Sequence, residues 1–412
     1  MNSYDIVVIG AGPAGLMAAG CASEQGARVL VLEKNSSAGI KLLMTGGGRC
    51  NFTNTAPNNL LAASFGQNGR WLLSGLSRFN SADIINFFAL RGVKIKVNEE
   101  GKVFPENSGA YKIREVLIDY VELNGGVIQY DAKVIKIIKD NNLISKIILA
   151  DRSEIKADKF IIACGGNSYP LSGSSGDAYS WLKDLGHNAI KPKPALAPII
   201  LHEQFIKILE GLSFPHIKLD LYQGLKKIAT ENGPLIFTAR GISGPVSLNL
   251  SRFIANENKA NLKLVLDFFP NQDKNEIEKK LQILIDLNSK ESIRNILAKL
   301  ISKRLADLII LNQNIDTAKK GSEINKIERG LIVSFLKNLN LTILALGSFD
   351  EAMITSGGVD LKEVDQKTMA SKQYKNLYFA GEILDLDGPT GGYNLQVAWT
   401  SGYVAGSSAS LK

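Results

Sequence analysis

At 412 residues, with 45% apolar and 21% charged residues, the chain is long enough for two or three domains and has the composition of an ordinary globular protein. No apolar run approaches the roughly 18 residues of a membrane span, no basic signal segment precedes the first strand, and the three cysteines lack CxxC spacing. We therefore expect a cytoplasmic protein without a bound metal. Because the net charge of +8 is spread as lysines over amphipathic segments, we expect a solvated basic surface rather than a nucleic-acid partner.

The first predicted element is a buried parallel strand, Ile6–Ile9, which leads into a glycine-rich turn and the start of a helix. In the spacing Gly10-x-Gly12-x-x-Gly15, the first glycine allows the turn, the second lets the backbone approach a pyrophosphate, and the third lets helix and strand pack closely. The helix starts at Pro13, which has no N–H, and the unpaired N–H groups from Ala14 onward would face the phosphates. The turn therefore predicts a dinucleotide site.

A second apolar strand, Arg28–Leu32, ends at Glu33, which lies 18 residues beyond Gly15. At this distance a carboxylate can accept hydrogen bonds from the ribose hydroxyls of an adenosine. Lys34 follows directly and belongs to the same predicted site. This pattern alone does not distinguish NAD from FAD.

The next stretch, Thr45–Asn54, contains three successive glycines centred on Gly47, which suit neither a helix nor a strand interior. It predicts a loop whose backbone lies against a flat or charged group. Lys41 and Arg49 can neutralise a diphosphate, and Asn51 can hydrogen-bond a ring edge or a ribityl chain.

Beyond this loop we expect helices over residues 82–90, capped by Ser81, and 108–123, then a three-stranded meander between residues 133 and 157. An apolar strand, Phe160–Ala163, then runs into Gly165 and Gly166, where backbone again approaches a cofactor. Residues 192–345 form an expected insertion that covers a cofactor pocket, strand-rich over 192–270 and helical over 271–345.

The chain returns to the first domain over residues 346–412. A strand ends in Gly381-Glu382, and an acidic, glycine-rich loop with Asp387 and Gly392 leads into an Ala- and Gly-rich helix from about Leu395. The N-terminus of this helix can face the flavin pyrimidine edge, where negative charge gathers on reduction. We therefore expect residues 1–191 and 346–412 to build one discontinuous dinucleotide domain.

Four segments resemble a bacterial FAD-dependent oxidoreductase family that includes the bile-acid 3-dehydro-4,6-diene reductase and aminoacetone oxidases. The resemblance spans nearly the whole chain and is carried by Gly10–Gly15 with Glu33, by Lys41-Leu42 with Thr45–Asn54, by Cys164–Asp177, and by Tyr378–Gln396. It implies an α/β fold: a discontinuous, glutathione-reductase-like FAD (Rossmann) domain with an inserted strand-rich, β-barrel-like and helical domain.

The resemblance also implies which residues contact FAD. It places FAD against Ala14, Glu33, Lys41, Leu42, Arg49, Asn51, Gly381, Glu382, Asn394 and Leu395, and by position it suggests that the Val134 backbone meets the adenine. Many members look to carry a histidine after the Phe-Thr pair of the loop in which this chain has Ala239. An acid–base role for that histidine is therefore not transferred.

We predict an FAD-dependent oxidoreductase that either reduces a conjugated C=C bond or oxidises an amine or alcohol in a small organic substrate. No second Gly-x-Gly-x-x-Gly turn is present, so the flavin would be reduced by transiently docked NAD(P)H, by a partner reductase or by the substrate. Cys50, Tyr169 and Tyr393 are the catalytic candidates. The alternative is a flavin-binding protein that acts on a macromolecule such as tRNA; the sequence does not define the oligomeric state.

Overall fold

The structure is a computed structural model that describes residues 4–256 and 261–411. These residues divide into two compact units: one comprises the chain up to Ala195 and again from Phe349, and the other comprises Leu196–Ser348. Each unit has its own core of buried aliphatic and aromatic side chains. No helix in the described ranges combines the length and the apolar character needed to cross a bilayer.

The N-terminal segment of the first unit contains eleven strands and seven α-helices among the described residues. The strands are β1 Tyr4–Ile9, β2 Val29–Leu32, β3 Thr53–Asn54, β4 Ile95–Val97, β5 Lys102–Pro105, β6 Val127–Gln129, β7 Val134–Asp140, β8 Leu143–Leu149, β9 Glu154–Ile155, β10 Ala157–Ile162 and β11 Ala189–Ala195. The helices are α1 Pro13–Glu24, α2 Ile40–Leu43, α3 Asn58–Ala63, α4 Gly69–Leu76, α5 Ser81–Leu90, α6 Gly109–Glu122 and α7 Asp177–Leu185.

The second unit follows, and the chain then returns to the first. The second unit contains β12 Ile199–Leu201, β13 Ser213–Gln223, β14 Lys226–Thr238, β15 Gly241–Ser243, α8 Pro245–Asn256, β16 Leu262–Asp267, α9 Lys274–Leu287, α10 Ile293–Leu297, α11 Lys303–Asn312, α12 Lys326–Lys337 and β17 Leu339–Leu346. The returning segment contains β18 Ile354–Val359, β19 Leu377–Phe379 and α13 Tyr393–Ser410.

A five-stranded parallel sheet, in the order β19-β10-β1-β2-β6, organises the first unit. Strand β1 lies at its centre because its apolar run Ile6–Ile9 is buried on both faces, as the sequence predicts. The order places strands from both ends of the chain side by side, since β19 pairs with β10 and β10 pairs with β1. The Rossmann-type fold predicted from the sequence is confirmed.

Two smaller predictions for this unit have different outcomes. The antiparallel meander β7-β8-β9 is confirmed. The cap of α5 was assigned one residue too late: Asn80, not Ser81, accepts from the Ala82 and Asp83 backbone N–H groups, and Asp83 completes the capping box. Asparagine and serine are similarly good caps, so the sequence alone did not decide between neighbours.

The second unit is a closed six-stranded barrel with helices α8–α12, and the barrel order is β12-β15-β14-β13-β16-β17. The predicted barrel-like character is confirmed, but the last barrel strand lies inside the stretch that we expected to be helical. In β17, Leu339 and Leu341 are buried while Asn340 and Thr342 are exposed. This alternation is the period of a strand, and β17 pairs with both β16 and β12.

Candidate functional site

A cavity opens at the carboxyl edge of the parallel sheet, and every residue that lines it belongs to the first unit. The space between atoms measures about 1270 Å³ with the solvent at its mouth included. The strand ends Ile9 and Leu32 line it, as do Ala163, directly after β10, and Gly381, beyond β19. Parallel strands point their carboxyl ends to one edge, and in open α/β sheets ligands bind at that edge.

The glycines of the first turn occupy three different environments. Gly10 has φ +103°, and a Cβ there would lie 2.8 Å from the Ala163 carbonyl oxygen. A Cβ on Gly15 would lie 1.9 Å from the Gly10 carbonyl oxygen, so Gly15 is required for close packing. A Cβ on Gly12 would meet no atom within 4 Å among the described residues, and Gly12 lines the cavity. The space above Gly12, at the N-terminus of α1, is open to a ligand.

Glu33 is buried at the end of β2 and its carboxylate has a fixed orientation. Oε2 accepts from the Ala11 N–H at 2.9 Å, and Oε1 accepts from the Asn35 N–H at 2.9 Å. The next residue, Lys34, forms an ion pair with Asp177 of α7, with 2.6 Å between Nζ and Oδ2. Both Glu33 and Lys34 line the cavity, so the structure brings β2 and the start of α7 to one wall.

A second part of the cavity wall is held together by a network of polar side chains. The Lys41 Nζ donates to Oε2 of Glu382 at 2.6 Å and to Oγ of Ser168 at 2.6 Å. The other oxygen, Oε1 of Glu382, accepts from the Ser168 Oγ at 2.7 Å and from the Thr355 N–H at 2.8 Å. Lys41 and Glu382 both line the cavity and are each about one-fifth exposed, so a cation and an anion face the ligand space together.

The triple-glycine loop adopts the backbone that its sequence predicts. Gly46, Gly47 and Gly48 all have positive φ, at 58°, 64° and 85°. The Arg49 guanidinium folds back over its own turn, where Nε donates to the Gly46 carbonyl at 3.1 Å. The structure therefore does not bring Gly47 or Arg49 to the cavity wall, and their contacts with a cofactor stay predictions.

Fourteen of the twenty predicted cofactor residues line the cavity. They are Gly10, Gly12, Pro13, Ala14, Glu33, Lys34, Lys41, Leu42, Val134, Gly165, Gly381, Glu382, Asn394 and Leu395. Six lie outside its lining: Gly15, Gly47, Arg49, Asn51, Asp387 and Gly392. For Gly15 and Gly392 the reason is steric, because both are packed against backbone: a Cβ on Gly392 would lie 2.3 Å from the Thr53 carbonyl oxygen.

The cavity also contains residues to which the sequence analysis gave no role. Ser174 lines it, and its Oγ is buried without a hydrogen-bond partner among the described residues. Met353 and Ile354, at the start of β18, form another part of the lining. Ser174 stands in the Gly173-Ser174 motif, which was a usable signal, whereas Met353 and Ile354 follow no motif and could be located only from the fold.

These features fit a dinucleotide such as FAD. The open space over Gly12 adjoins a helix N-terminus, which favours a diphosphate. The Glu33 carboxylate suits ribose hydroxyls. The Ser174 hydroxyl has unmet hydrogen-bonding capacity toward the same cavity. When bound, FAD would supply a carrier that accepts and donates two electrons as a hydride.

The catalytic candidates are less favourably placed. Cys50 is buried, and burial raises the pKa of its thiol to about 12, against the opposing hydrogen bond with Thr45. Neither Tyr169 nor Tyr393 lines the cavity.

His187 is buried away from the cavity lining and is held by two side chains. Its Nδ1 lies 2.6 Å from Glu363 Oε2 and its Nε2 lies 3.1 Å from Ser371 Oγ, which is a structural environment. Within the described residues, no group of three or more His, Cys, Asp or Glu side chains could hold a metal ion.

The fold and the cavity together define a Rossmann-type, dinucleotide-binding protein. The sequence profile of the family described as "HI0933-like protein Rossmann domain" matches residues 4–408. The chain therefore belongs to this family of FAD-binding Rossmann proteins and is an FAD-dependent oxidoreductase.

Relatives of similar length have two kinds of name. The chain is 31% identical to "Ribosomal RNA dihydrouridine synthase" of Haemophilus influenzae over 417 residues, with 100% of both chains covered. It is also 31% identical to "3-dehydro-bile acid delta(4,6)-reductase" of Clostridium scindens over 416 residues, with 98% of both chains covered.

Among solved structures, the 3-ketosteroid delta1-dehydrogenase of Sterolibacterium denitrificans matches with a TM-score of 0.56 at 12% identity and 100% coverage of both chains. At that identity the likeness describes the fold alone.

Proposed function

We propose that the protein reduces a C=C double bond conjugated to a carbonyl group. The proposal rests on one observation: the names of two relatives that match over the full length describe the same type of reaction. Dihydrouridine differs from uridine by two hydrogens across the C5=C6 bond, which is conjugated to the C4 carbonyl. A 3-dehydro-Δ4,6 bile acid contains a diene conjugated to its C3 ketone. Both names describe the saturation of an electron-poor C=C bond.

The reaction adds one hydride equivalent to the carbon β to the carbonyl and one proton to the α carbon. NAD(P)H, docked transiently, is the proposed hydride source. The proposed tasks of the chain are to bind and orient: the α1 N-terminus over Gly12 binds the diphosphate, Glu33 binds the ribose, and the Lys41–Glu382 pair orients the cofactor near its reactive end. The proton comes from solvent or from an acid of this chain.

The first candidate substrate is a uracil ring in RNA. The Haemophilus relative and a second "Ribosomal RNA dihydrouridine synthase", of Escherichia coli, support it; the latter is 30% identical, with 98% of this chain and 97% of the relative covered. The second candidate is a small cyclic enone or dienone, which the Clostridium relative supports at equal identity. Oxidation of an amine or alcohol, which the sequence left open, matches none of these three names.

The test is an anaerobic half-reaction assay on the purified flavoprotein. NADH or NADPH should bleach the absorbance at roughly 450 nm, the band of an oxidised flavin cofactor. A uridine-containing RNA or a Δ4,6-dien-3-one steroid should then restore the absorbance while losing its own double bond. The proposal would be overturned if neither compound re-oxidised the flavin. Bleaching by an amine or alcohol without NAD(P)H would instead indicate that the protein oxidises that amine or alcohol.

A further inference from the structure

Most of the protein's excess positive charge lies in the second unit. Residues 196–348 contain 21 Lys and Arg against 15 Asp and Glu, a net charge of +6 out of the +8 of the whole chain. This charge is unevenly placed, because Lys227 and Lys263 contact the ring of Tyr222 near the turn of the β13–β14 hairpin. Lys226 lies beside the turn, and Lys218 lies four residues before Tyr222 on β13. We call Tyr222 with Lys218, Lys226, Lys227 and Lys263 the hairpin surface.

Strand register aligns a cation, an aromatic ring and a second cation across three neighbouring strands. Tyr222 of β13 lies opposite Lys227 of β14 on one side and opposite Lys263 of β16 on the other. Both ammonium groups lie 5.6 Å from the Tyr222 ring centroid, within the range of a cation–π contact. The row faces outward, because the flanking Leu219 and Leu221 point into the barrel core.

The acidic groups near this row do not cancel its charge. Asp220 is the acid on the same face of β13; its Oδ2 lies 2.9 Å from the Lys227 Nζ and 3.4 Å from the Lys218 Nζ. Asp267, the register partner of Lys218, forms an ion pair with Lys337 at 2.7 Å. Lys218, Lys227 and Lys263 with Asp220 therefore leave this face with an excess of two positive charges, and Lys226 adds a third beside the turn.

The hairpin ends in an apolar tip. Gly224 and Leu225 form a two-residue loop, with Gly224 at φ +59° as a type II′ turn requires. Leu225 is 97% exposed. Lysines beside an aromatic ring at the surface are the combination that binds single-stranded nucleic acid, since ammonium groups contact phosphates and bases stack on the ring. Tyr222 is half-buried, with the two lysines over its ring.

We propose that the hairpin surface is a docking site for single-stranded RNA, in which Lys227 and Lys263 bind backbone phosphates and Tyr222 stacks on a base. This assignment rests on the proposed reduction of a uracil ring in RNA and names the surface that recruits it. In the RNA-free protein the two lysines cover the ring. Surface cation–π contacts are weaker than base stacking, so RNA can displace them and release the ammonium groups to the phosphates.

The experiment measures binding of the full-length flavoprotein to a fluorescein-labelled oligouridylate across a salt series. Lys227→Gln/Lys263→Gln should weaken binding about tenfold at low salt and reduce the log–log salt slope by about 1.4, because two single-strand phosphate contacts are lost. Tyr222→Leu should weaken binding about tenfold without changing the slope, and Tyr222→Phe should retain binding because the ring remains. Lys279→Gln/Lys290→Gln removes the same charge from exposed positions elsewhere in the unit and is the matched control.

Each outcome separates this assignment from the proposed reaction. Equal losses in the test and control lysine pairs would overturn the assignment, because net charge alone would then explain binding. Tighter binding to phosphatidylserine vesicles than to RNA would overturn it in favour of a lipid surface. Wild-type protein that binds no RNA but is re-oxidised by a dienone would end the RNA assignment and leave the reductase proposal intact.

Discussion

Lys41 and Glu382 are 341 positions apart in the sequence, and the Lys41 Nζ lies 2.6 Å from the Glu382 Oε2 in the cavity wall. Each is only about one-fifth exposed, so neither charge is fully solvated when its partner is removed. Ser168 hydrogen-bonds both of them and ties a third segment of the chain to the pair. The pair therefore couples α2, near the start of the chain, to the loop beyond β19.

A double-mutant cycle tests this coupling. We expect Lys41→Met and Glu382→Gln each to weaken FAD binding about tenfold, because each leaves an unmatched partner in a poorly solvated wall. The double variant should lose less than the product of the two single losses, with a coupling of about 1 kcal/mol or more. Flavin fluorescence titration of the apoprotein measures all four affinities. Strictly multiplicative losses would mean that the two residues act separately.

The two glycines Gly12 and Gly15 should respond oppositely to the same substitution. Gly12→Val directs a side chain into open cavity space, so we expect loss of bound FAD with a thermal midpoint close to that of wild-type apoprotein. Gly15→Val forces a Cβ to within 1.9 Å of the Gly10 carbonyl oxygen, so we expect the fold itself to be destabilised. Absorbance at roughly 450 nm reports flavin content, and circular dichroism reports folding. A yellow Gly12→Val protein would contradict the predicted diphosphate position.

Asp385 should make stability depend on pH. Burial raises the pKa of its carboxyl, the Asp387 and Asp360 carboxylates add to the rise, and a hydrogen bond from Asn68 opposes it. A raised folded-state pKa means that the contribution of Asp385 to stability is full below its unfolded pKa and is lost as pH rises through the folded value. We therefore expect Asp385→Asn to raise the thermal midpoint relative to wild type at pH 7 and to lose this advantage toward pH 4, which is near the ordinary aspartate pKa.

Asp151 supplies a control of opposite sign for that measurement. Hydrogen bonds from the Ser153 side chain and backbone lower the pKa of this exposed carboxyl. The stability that Asp151 contributes is therefore present above its pKa in the unfolded chain and is lost as pH falls through its lower pKa in the folded protein. Asp151→Asn should therefore lower the midpoint slightly at pH 7 and have no effect at low pH. Equal shifts of the thermal midpoint for Asp385→Asn and Asp151→Asn at every pH would contradict the argument that burial raises the pKa of Asp385.

The Cys50 thiol should be unreactive in the folded protein. Because burial raises the pKa of its thiol to about 12, the reactive thiolate is scarce at neutral pH. We expect Cys50→Ala to keep its flavin and to be bleached by NAD(P)H within about twofold of the wild-type rate, since the thiol is not needed for hydride transfer. Iodoacetamide should label Cys50 only after denaturation, as mass spectrometry of the digested protein can establish. Rapid labelling of the native protein would restore Cys50 as a catalytic candidate.

The sequence predicts the parts of the site that depend on local backbone. Gly10 and the Gly46–Gly48 run indicate turns because their positive φ angles disfavour residues with a side chain. Glu33 follows from its spacing after Gly15. These signals lie within a few residues of the feature they specify, so no knowledge of the fold is needed to interpret them.

Features made by distant segments could not be predicted in the same way. The Lys41–Glu382 ion pair needs the sheet order that places the β19 end beside α2. The Lys227–Tyr222–Lys263 row needs the strand register, because Tyr222 and Lys263 are 41 positions apart. Strand β17 was a different kind of error: its alternating pattern was visible, but it was assigned to the preceding amphipathic helices.

Helix α13 packs directly on α1, and this contact constrains how the protein can be made. A Cβ on Gly402 or Gly406 would lie within 2.4 Å of the Ala14 or Ala18 carbonyl oxygen, and the Trp399 Nε1 donates to the Phe52 carbonyl at 2.7 Å. During translation the face of α1 that packs on α13 therefore stays uncovered until residues beyond 393 have been synthesised. The barrel unit, which is continuous in sequence, can fold earlier, so the nascent dinucleotide unit must remain incomplete while the ribosome finishes an entire second unit.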